Sequence, residues 1–336
     1  MERKESDSVL NWNLKNVKKD IVGGSMSRFF FTDWEGPWVL TDFAYELSFL
    51  LFNNSRFFEN LSWYDDYKSY VEKEKGYESG YTLRLLIPFL LASNISNDKV
   101  YELSLHLTRF VKDARNSMEI LLRRWVPVVI STTYYQFLET SAGILGLNKK
   151  HLYGTKFDFD RDIDLNLRER LFGAVDIISS LEGAELVSYL DSLFSDKKIL
   201  EITSEVEIVG AGEKARILEE YCENYNISRP IVVGDSVSDY KMFEKARRIG
   251  GIAIAFNGNE YALKHADVAI VSDSALAEAF VIERLMEGGK VQDLRNMNLK
   301  EFNCEIYIIE ECDINEVIRK SKKMRVKLRG AAGQLG

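Results

Sequence analysis

The chain has 336 residues, of which 46% are hydrophobic and 29% are charged, and this composition is typical of folded globular proteins rather than of disordered or collagen-like chains. At about 100 to 200 residues per domain, the length predicts two domains or one large core with insertions. Acidic side chains outnumber basic ones by 52 to 44. The resulting net charge of −8 disfavours broad binding to nucleic acid or to anionic membranes.

Cysteine usage and apolar patterning indicate the compartment. The three cysteines, Cys222, Cys304 and Cys312, form no Cys-x-x-Cys pair, and their odd number disfavours a secreted disulfide framework. No apolar stretch approaches the roughly 18 residues of a membrane span. The first 20 residues lack the apolar centre of a signal peptide. We therefore expect a cytoplasmic protein without a membrane span.

Residues 1–27 form the first predicted unit. Leu10, Leu14, Val17 and Ile21 follow helical spacing and precede a Gly-Gly-Ser joint at residues 23–25. This pattern predicts an amphipathic N-terminal extension that either docks on the protein or moves freely. Membrane anchoring is disfavoured because one short amphipathic segment binds lipid weakly.

Four apolar runs follow, at residues 28–33, 127–131, 230–235 and 252–255. Continuous apolar strands separated by long helical stretches are typical of a parallel sheet covered on both faces. Ligands bind beyond the carboxyl ends of such strands. The pattern therefore brings Asp33, Ser131 and Asp235, which close three of these runs, to one edge of an α/β sheet.

The intervals between the predicted strands are too long for simple crossovers. Residues 49–119 carry helical periodicity and predict a helical insertion, and residues 164–195 predict a second one. From residue 290 onward we expect a C-terminal extension with a short strand at 304–309 and a helix at 314–323. Seven of the eleven residues from 319 to 329 are basic, and such runs are usually solvated faces or tails, although contact with an acidic partner is the alternative.

The strongest local motif is Gly-Asp-Ser-Val-Ser-Asp at residues 234–239, between a predicted strand and a predicted helix. Two carboxylates, Asp235 and Asp239, lie four residues apart there. They can face one hard cation such as Mg²⁺, which prefers oxygen ligands. The alternative is that both acids only cap the following helix.

A second acidic pair, Asp33 and Glu35, follows the first strand. A carboxylate in this place can attack phosphorus or bind a metal ion, while its neighbour two residues on handles the leaving-group proton. Ser131, with Thr132 beside it, and Lys214 can hold phosphate oxygens and offset negative charge. The four elements together are far more specific than any one of them.

The order and setting of these elements resemble the haloacid dehalogenase superfamily, and within it the phosphoserine-phosphatase-like members. The resemblance covers residues 28–287 apart from the insertions, and it is extended by the Gly-Ile-Ala-Ile-Ala run at 251–255 and the Ala-Asp-Val-Ala run at 266–269. It implies a three-layer Rossmann-like parallel sheet, with Mg²⁺ as cofactor. It also implies site residues: Asp33 as nucleophile, Ser131, Thr132 and Lys214 as phosphate-binding residues, and Asp33, Glu35, Asp235 and Asp239 around the cation.

The first motif departs from the superfamily pattern. Glu35 replaces the usual second aspartate, and Gly36 and Pro37 follow it, so the role of Glu35 as general acid requires a re-aimed turn. The Asp-Trp-Glu-Gly-Pro stretch, together with acidic and aromatic residues at 56–59 and 64–67, further resembles an archaeal branch known as energy-converting hydrogenase A subunit R. That name specifies no reaction.

The resemblance also predicts a domain organisation. The α/β core comprises residues 28–48, 120–163 and 196–289, and residues 49–119 form a type-one cap that excludes water and selects the substrate. Arg56, Arg84 and Arg109 are candidates for binding a substrate anion from the cap; the alternative is that they are solvated or form surface ion pairs. The second insertion at 164–195 and the two terminal extensions have no assigned role.

These observations favour a magnesium-dependent phosphatase that acts on a small phosphorylated metabolite through an aspartyl-phosphate. A catalytically altered binding or regulatory subunit and a phosphotransferase are the alternatives, and the terminal extensions are where a protein partner could bind. Halide release is disfavoured. Residues 158–169 match the acidic positions of a calcium loop, but Ile163 stands where that loop needs glycine, so an acidic flap is the favoured interpretation.

Overall fold

A computed structural model describes residues 28–73, 75, 77–297, 299 and 302–334. The predicted N-terminal amphipathic extension lies outside these residues. Among the described residues, no helix combines the length and apolar character that a bilayer crossing requires.

Seven strands form one sheet in the spatial order β3-β2-β1-β4-β5-β6-β7. The strands are β1 (Phe29–Thr32), β2 (Val126–Tyr134), β3 (Leu152–Thr155), β4 (Ile231–Gly234), β5 (Ile252–Phe256), β6 (Val268–Val271) and β7 (Glu305–Ile308). All neighbouring pairs are parallel except β6 and β7. The predicted parallel sheet is therefore confirmed, with an antiparallel strand added at one edge.

Fourteen α-helices surround the sheet in the described part of the chain. They are α1 (Phe43–Phe52), α2 (Ser55–Asp66), α3 (Thr82–Ala92), α4 (Asn97–Leu107), α5 (Ala114–Leu122), α6 (Tyr135–Ile144), α7 (Leu165–Ser180), α8 (Gly183–Phe194), α9 (Lys197–Ser204), α10 (Ala211–Tyr225), α11 (Tyr240–Arg248), α12 (Glu260–His265), α13 (Ala275–Met286) and α14 (Ile314–Arg329). A π-helix (Tyr67–Glu72) continues directly from α2.

Both faces of the sheet are buried. Side chains alternate along a strand, so Phe30 of β1 joins one apolar cluster and Phe31 joins the other. Helices α5 and α13 cover the first face, and α10, α11, α12 and α14 cover the second. The result is the three-layer arrangement that the apolar runs predicted.

The helices of the two insertions pack on one another. Helices α2 and α3 contact α7, α3 also contacts α9, and α2 contacts α8. The two segments are far apart in sequence, yet they build one helical body beside the sheet. Helix α4, in contrast, packs on α1 and α6, and α5 packs on β2 and α13.

Candidate active site at the carboxyl edge of the sheet

β1 lies between β2 and β4 in the sheet, and all three strands are parallel, so the residues that follow these strands meet at one edge. Asp33 directly follows β1, and its amide donates to Val233 O of β4 at 2.9 Å. Asp235 directly follows β4, whereas Ser131 lies within β2, which runs on to Tyr134. The predicted convergence of Asp33, Ser131 and Asp235 is present, and all three line one cavity.

Lys214 joins the acidic residues from the first turns of α10. Its ammonium donates to Asp33 Oδ2 at 2.6 Å, to Asp239 Oδ1 at 2.7 Å and to Ser238 Oγ at 2.9 Å. The side chain has no exposed surface. Burial disfavours the ammonium, but Asp239 and Asp33 more than compensate and hold the pKa of Lys214 above its ordinary value.

Asp239 also shapes the turn that carries Asp235. Its Oδ2 accepts the amides of Asp235 at 2.9 Å and Ser236 at 3.0 Å, which is half of a capping box with Ser236. A side chain at Gly234 would collide with this carboxylate, because an added Cβ would lie 2.3 Å from Asp239 Cγ. Asp239 therefore combines the capping role with contact to Lys214.

Asp33, Asp235 and Asp239 form a buried group in which one carboxylate oxygen of each lies within 4.8 Å of the others. Burial raises the pKa of Asp235 in spite of nearby arginines. Three carboxylates without a nitrogen or sulfur donor suit a hard divalent cation such as Mg²⁺. By its donor atoms, this group fits the cation that the motifs predicted.

Glu35 lies at the side of this group rather than within it. Its Oε1 accepts the Phe43 amide at 3.1 Å, and the residue lines the same cavity as Asp33. Burial, reinforced by Asp42 and opposed by Arg329, raises the pKa of Glu35 to about 8. Burial therefore favours the protonated carboxyl group, which can donate a proton.

The unusual Gly-Pro sequence after Glu35 has a structural reason at Gly36. It has a φ of +99°, and an added Cβ would lie 2.3 Å from Asp235 Cγ. Only glycine tolerates both the backbone conformation and this approach. The Gly-Pro turn thus brings the first motif directly against the Asp235 carboxylate.

The phosphate-binding candidates of β2 lie beside Asp33. Ser131 is 2% exposed, and Thr132 and Thr133 follow it along the cavity wall. The buried Thr132 Oγ1 has no hydrogen-bond partner among the described residues. A buried hydroxyl of this kind can bind an incoming oxygen.

Helices α2 and α3 and the loop before α3 form part of the cavity wall, with Phe58, Asp65, Asp66 and Thr82 among the lining residues. Asp65 Oδ2 accepts the Gly80 amide, the Thr82 amide and the Thr82 hydroxyl at 2.8 to 3.1 Å. Burial raises the pKa of Asp65 to about 7. This carboxylate orders the loop that leads into α3.

The cap arginines do not line this cavity. Arg56 pairs with Glu182 at 2.5 Å and Arg109 with Glu46 at 2.5 Å, both as largely exposed side chains. Arg84 stacks on Tyr81, with 4.3 Å from its guanidinium carbon to the ring centroid. For Arg56 and Arg109, the alternative of surface ion pairs is the correct one.

Two other arginines reach the acidic group, and the sequence interpretation missed them. Arg325 and Arg329 of α14 lie in the basic run at 319–329, and both contact the Asp235 carboxylate. The interpretation of the whole run as a solvated face is wrong at these two positions. Their spacing of four residues, which places both on one helix face, is the signal that could have found them.

The predicted acidic flap lies apart from this site. Asp164 accepts the Leu167 amide and caps α7, and Asp158 accepts from Asn97. Among the described residues, the only grouping of three metal-binding side chains is the one formed by Asp33, Asp235 and Asp239.

Comparison with solved structures places the chain in a family. The gene product AF1437 from Archaeoglobus fulgidus is 52% identical, with a TM-score of 0.88, and the match covers 92% of this chain and 99% of that one. The chain belongs to the AF1437 family. No family model and no curated protein matches the sequence.

A second solved structure shares the fold of this AF1437-family protein. A phosphoserine phosphatase in a substrate-bound complex superposes with a TM-score of 0.50 at 16% identity, over 80% of this chain and all of that one. At that identity the likeness is one of fold. The core is therefore the haloacid-dehalogenase-like α/β fold with helical insertions, whereas the resemblance to a hydrogenase subunit remains a prediction.

Proposed function

We propose that this protein is a magnesium-dependent phosphatase that hydrolyses a small organic phosphate through an aspartyl-phosphate on Asp33. One observation carries the proposal: the buried Lys214 ammonium joins Asp33 to Asp239 beside Asp235, at the carboxyl edge of the sheet. A fold shared with phosphoserine phosphatase supports it. Buried charges are costly to desolvate, and titratable groups with perturbed pKa values cluster at functional sites.

In the first half of the reaction, a carboxylate oxygen of Asp33 attacks the phosphorus of the substrate. A P–O bond forms to Asp33, and the P–O bond to the organic group breaks. Glu35 donates its proton to the leaving oxygen, in keeping with its raised pKa. Ser131, Thr132 and Lys214 bind the phosphoryl oxygens and offset their charge.

In the second half, water attacks the phosphorus of the aspartyl-phosphate. The Glu35 carboxylate accepts a proton from this water, the bond between Asp33 and phosphorus breaks, and inorganic phosphate leaves. Asp33 is again a carboxylate and Glu35 again a carboxylic acid. Each residue thereby returns to its starting state without an added reductant or oxidant.

Asp33 and Asp235 would hold the cation, with Asp239 close behind them. A bound Mg²⁺ supplies positive charge that offsets the phosphoryl oxygens and the carboxylates. The carboxylate of Glu35 points instead toward the Phe43 amide, so we assign it to proton transfer rather than to the cation.

We further propose that residues 49–119 and 164–195 serve together as the lid that selects the substrate. Helices α2 and α3 line the cavity, and α7 and α8 support them from behind. The substrate would be a small phosphorylated metabolite, because helices of the lid line the same cavity as Asp33. A cytoplasmic location is in keeping with three free cysteines.

The test compares the wild type with Asp33→Asn and with Asp98→Asn, which changes an exposed carboxylate on α4. Release of inorganic phosphate from an aryl phosphate and from a panel of phosphorylated metabolites is measured with and without Mg²⁺. We expect magnesium-stimulated turnover in the wild type and in Asp98→Asn, and a loss of at least a thousandfold in Asp33→Asn, since no nucleophile remains. Undiminished turnover by Asp33→Asn would remove the aspartyl-phosphate from the mechanism.

A further inference from the structure

The C-terminal half of α14 lies against the acidic group. Arg325 is 4% exposed, and its Nη1 donates to the main-chain oxygens of Asp235 at 3.0 Å and Asn257 at 3.2 Å. The same nitrogen forms an ion pair with Asp235 Oδ2. A guanidinium thus lies on the carboxylate that the proposed cation needs.

Arg329 reaches the same oxygen from one turn further along α14. Its Nη1 lies 3.3 Å from Asp235 Oδ2, and its Nε donates to Leu40 O at 3.2 Å. Only 8% of its side chain is exposed. The following 3₁₀ turn (Gly330–Gln334) folds back on α14, and Ala332 of this turn lines the cavity.

The charges of the group are balanced without a metal ion. Lys214 pairs with Asp33 and Asp239, and Arg325 and Arg329 pair with Asp235. Three carboxylates therefore face three cationic side chains, of which Arg329 is shared with Asp42, whose Oδ2 lies 3.8 Å from its Nη2. A divalent cation that enters this group meets two guanidinium charges within a few ångströms, in a buried place where solvent screens them weakly.

We propose that Arg325 and Arg329 compete with the divalent cation for Asp235, so that cation binding and the docking of the C-terminal end of α14 oppose each other. The inference rests on the metal site of the proposed function. On this proposal, α14 inhibits cation binding at that site. Its two arginines neutralise Asp235 while the cation is absent and move away from Asp235 when the cation binds.

The alternative to competition is that the two arginines position Asp235 for the cation. It predicts the opposite change in cation affinity when an arginine is removed. If the arginines instead hold Asp235 in the orientation that the cation needs, their removal weakens cation binding. The sign of the change in affinity therefore decides between competition and positioning.

The first experiment measures Mg²⁺ and Mn²⁺ binding to the full chain by titration calorimetry. The proteins are the wild type, Arg325→Met, Arg329→Met and Lys327→Met. Lys327 is the matched control, since it is a basic residue of the same helix that is 59% exposed and pairs with Asp273. Methionine keeps an unbranched apolar stem close in length to that of arginine or lysine and removes the charged group.

Competition predicts that Arg325→Met binds either cation at least tenfold more tightly than the wild type. Arg329→Met should show a smaller gain, because its contact with Asp235 is longer, and Lys327→Met should match the wild type. Unchanged or weaker binding by both arginine variants would overturn the proposal. If Arg325→Met does not fold, Arg329→Met and the next measurement decide the matter.

The second experiment follows hydrogen exchange in the wild-type protein with and without saturating Mg²⁺. Amides in the last two turns of α14 should exchange severalfold faster when the cation is bound, and amides of α10 should not. Slower exchange in α14 would show that the cation and the helix support each other, contrary to the proposal.

Failure of this inference can be told apart from failure of the metal site. Equal cation binding by the wild type and both arginine variants rejects the competition and leaves the phosphatase proposal standing. If none of the proteins binds Mg²⁺ or Mn²⁺ at millimolar concentration, both proposals are overturned together.

Discussion

At the scale of single residues, Lys214 shows how this core accommodates buried charge. An ammonium in an apolar interior normally gives up its proton. Here it donates to two carboxylates and a hydroxyl at 2.6 to 2.9 Å. Each N–H group thus has a partner, and the charge is retained because the Asp239 and Asp33 carboxylates favour the ammonium.

Glu278 of α13 lacks such compensation. It has no exposed surface, and neither carboxylate oxygen has a hydrogen-bond partner among the described residues. Burial, with a contribution from Asp235, raises the pKa of Glu278 well above its ordinary value of 4.5. The protein therefore stabilises the protonated form of this residue.

We expect Glu278→Met to raise the free energy of unfolding by about 1 to 3 kcal/mol at neutral pH, since it replaces an unpaired buried carboxyl group with an apolar side chain of similar length. A raised folded-state pKa means that the folded protein binds more protons than the unfolded chain above pH 4.5. Wild-type stability should fall as the pH rises from that value toward the folded-state pKa. The gain in Glu278→Met should accordingly be larger at pH 8 than at pH 5, measured by urea unfolding.

Glu278→Gln is the control for this prediction. It keeps the size and polarity of the side chain but cannot titrate, so it should remove the pH dependence without the full gain in stability. If the wild type and both variants show the same dependence on pH, Glu278 does not titrate on unfolding and the argument fails.

Local spacing explains which site residues the sequence could predict. Four acidic site residues occur in short motifs directly after apolar strands, namely Asp33, Glu35, Asp235 and Asp239. Because the strands are parallel neighbours, these motifs could be expected to meet at one edge of the sheet. Arg325 is separated from Asp235 by 90 residues and lies on a helix on which Lys322, Lys323 and Lys327 are exposed. The four-residue spacing of Arg325 and Arg329 indicates that they share one helix face, but the spacing does not tell which face of the helix is buried.

At the scale of elements, the loop between the π-helix and α3 is fastened to the core by Glu78. Its Oε2 accepts the Gly212 amide at 2.7 Å, in the first turn of α10, and its Oε1 accepts from Lys241 of α11 at 2.8 Å. An acidic group at a helix N-terminus is favoured by the free amides and the helix dipole. The lid therefore caps the helix that carries Lys214.

We expect Glu78→Ala to lower the free energy of unfolding by about 1 kcal/mol, because the Gly212 amide loses its acceptor. It should also speed hydrogen exchange at residues 77–81. Lys241→Ala removes only a partly exposed ion pair and should cost about 0.5 kcal/mol or less. Equal losses in the two variants would show that the ion pair, and not the helix cap, holds the lid in place.

Strands with a continuous apolar run were predicted from the sequence. Strand β3 lacks such a run and was missed. β3 has the sequence Leu-Tyr-Gly-Thr, in which a glycine interrupts a short alternating pattern. An added Cβ at Gly154 would lie 3.1 Å from Thr133 O, which is closer than an ordinary contact, so glycine suits this close approach of the backbones. Strand β3 owes its place to pairing with β2 rather than to its own propensity.

At the scale of the whole molecule, two separate interruptions of the α/β core build one helical body. The sequence shows both insertions by their length, since each exceeds a plain crossover. Their association could not be predicted from the sequence, because the apolar faces of α2, α3 and α7 carry no information about which partner they choose. The contacts across the body include Tyr64 Oη with Asp191 Oδ1 at 2.6 Å.

Asn60 supplies the most direct polar link between the two insertions. Its Nδ2 donates to Ile178 O at 2.6 Å and to Leu181 O at 3.0 Å, and so binds two carbonyls at the C-terminal end of α7. We expect Asn60→Ala to lower the free energy of unfolding by about 1 to 2 kcal/mol. Hydrogen exchange should quicken both in α2 and at the end of α7, because one side chain holds both.

Asn166→Ala, at an exposed position of α7, is the matched control and should change the stability by less than about 0.5 kcal/mol. Urea unfolding and hydrogen exchange are measured on the same samples. Faster exchange confined to α2 would mean that the second insertion keeps its structure without the first. Faster exchange on both sides would mean that the two insertions open as one unit, which is what a lid built from both requires.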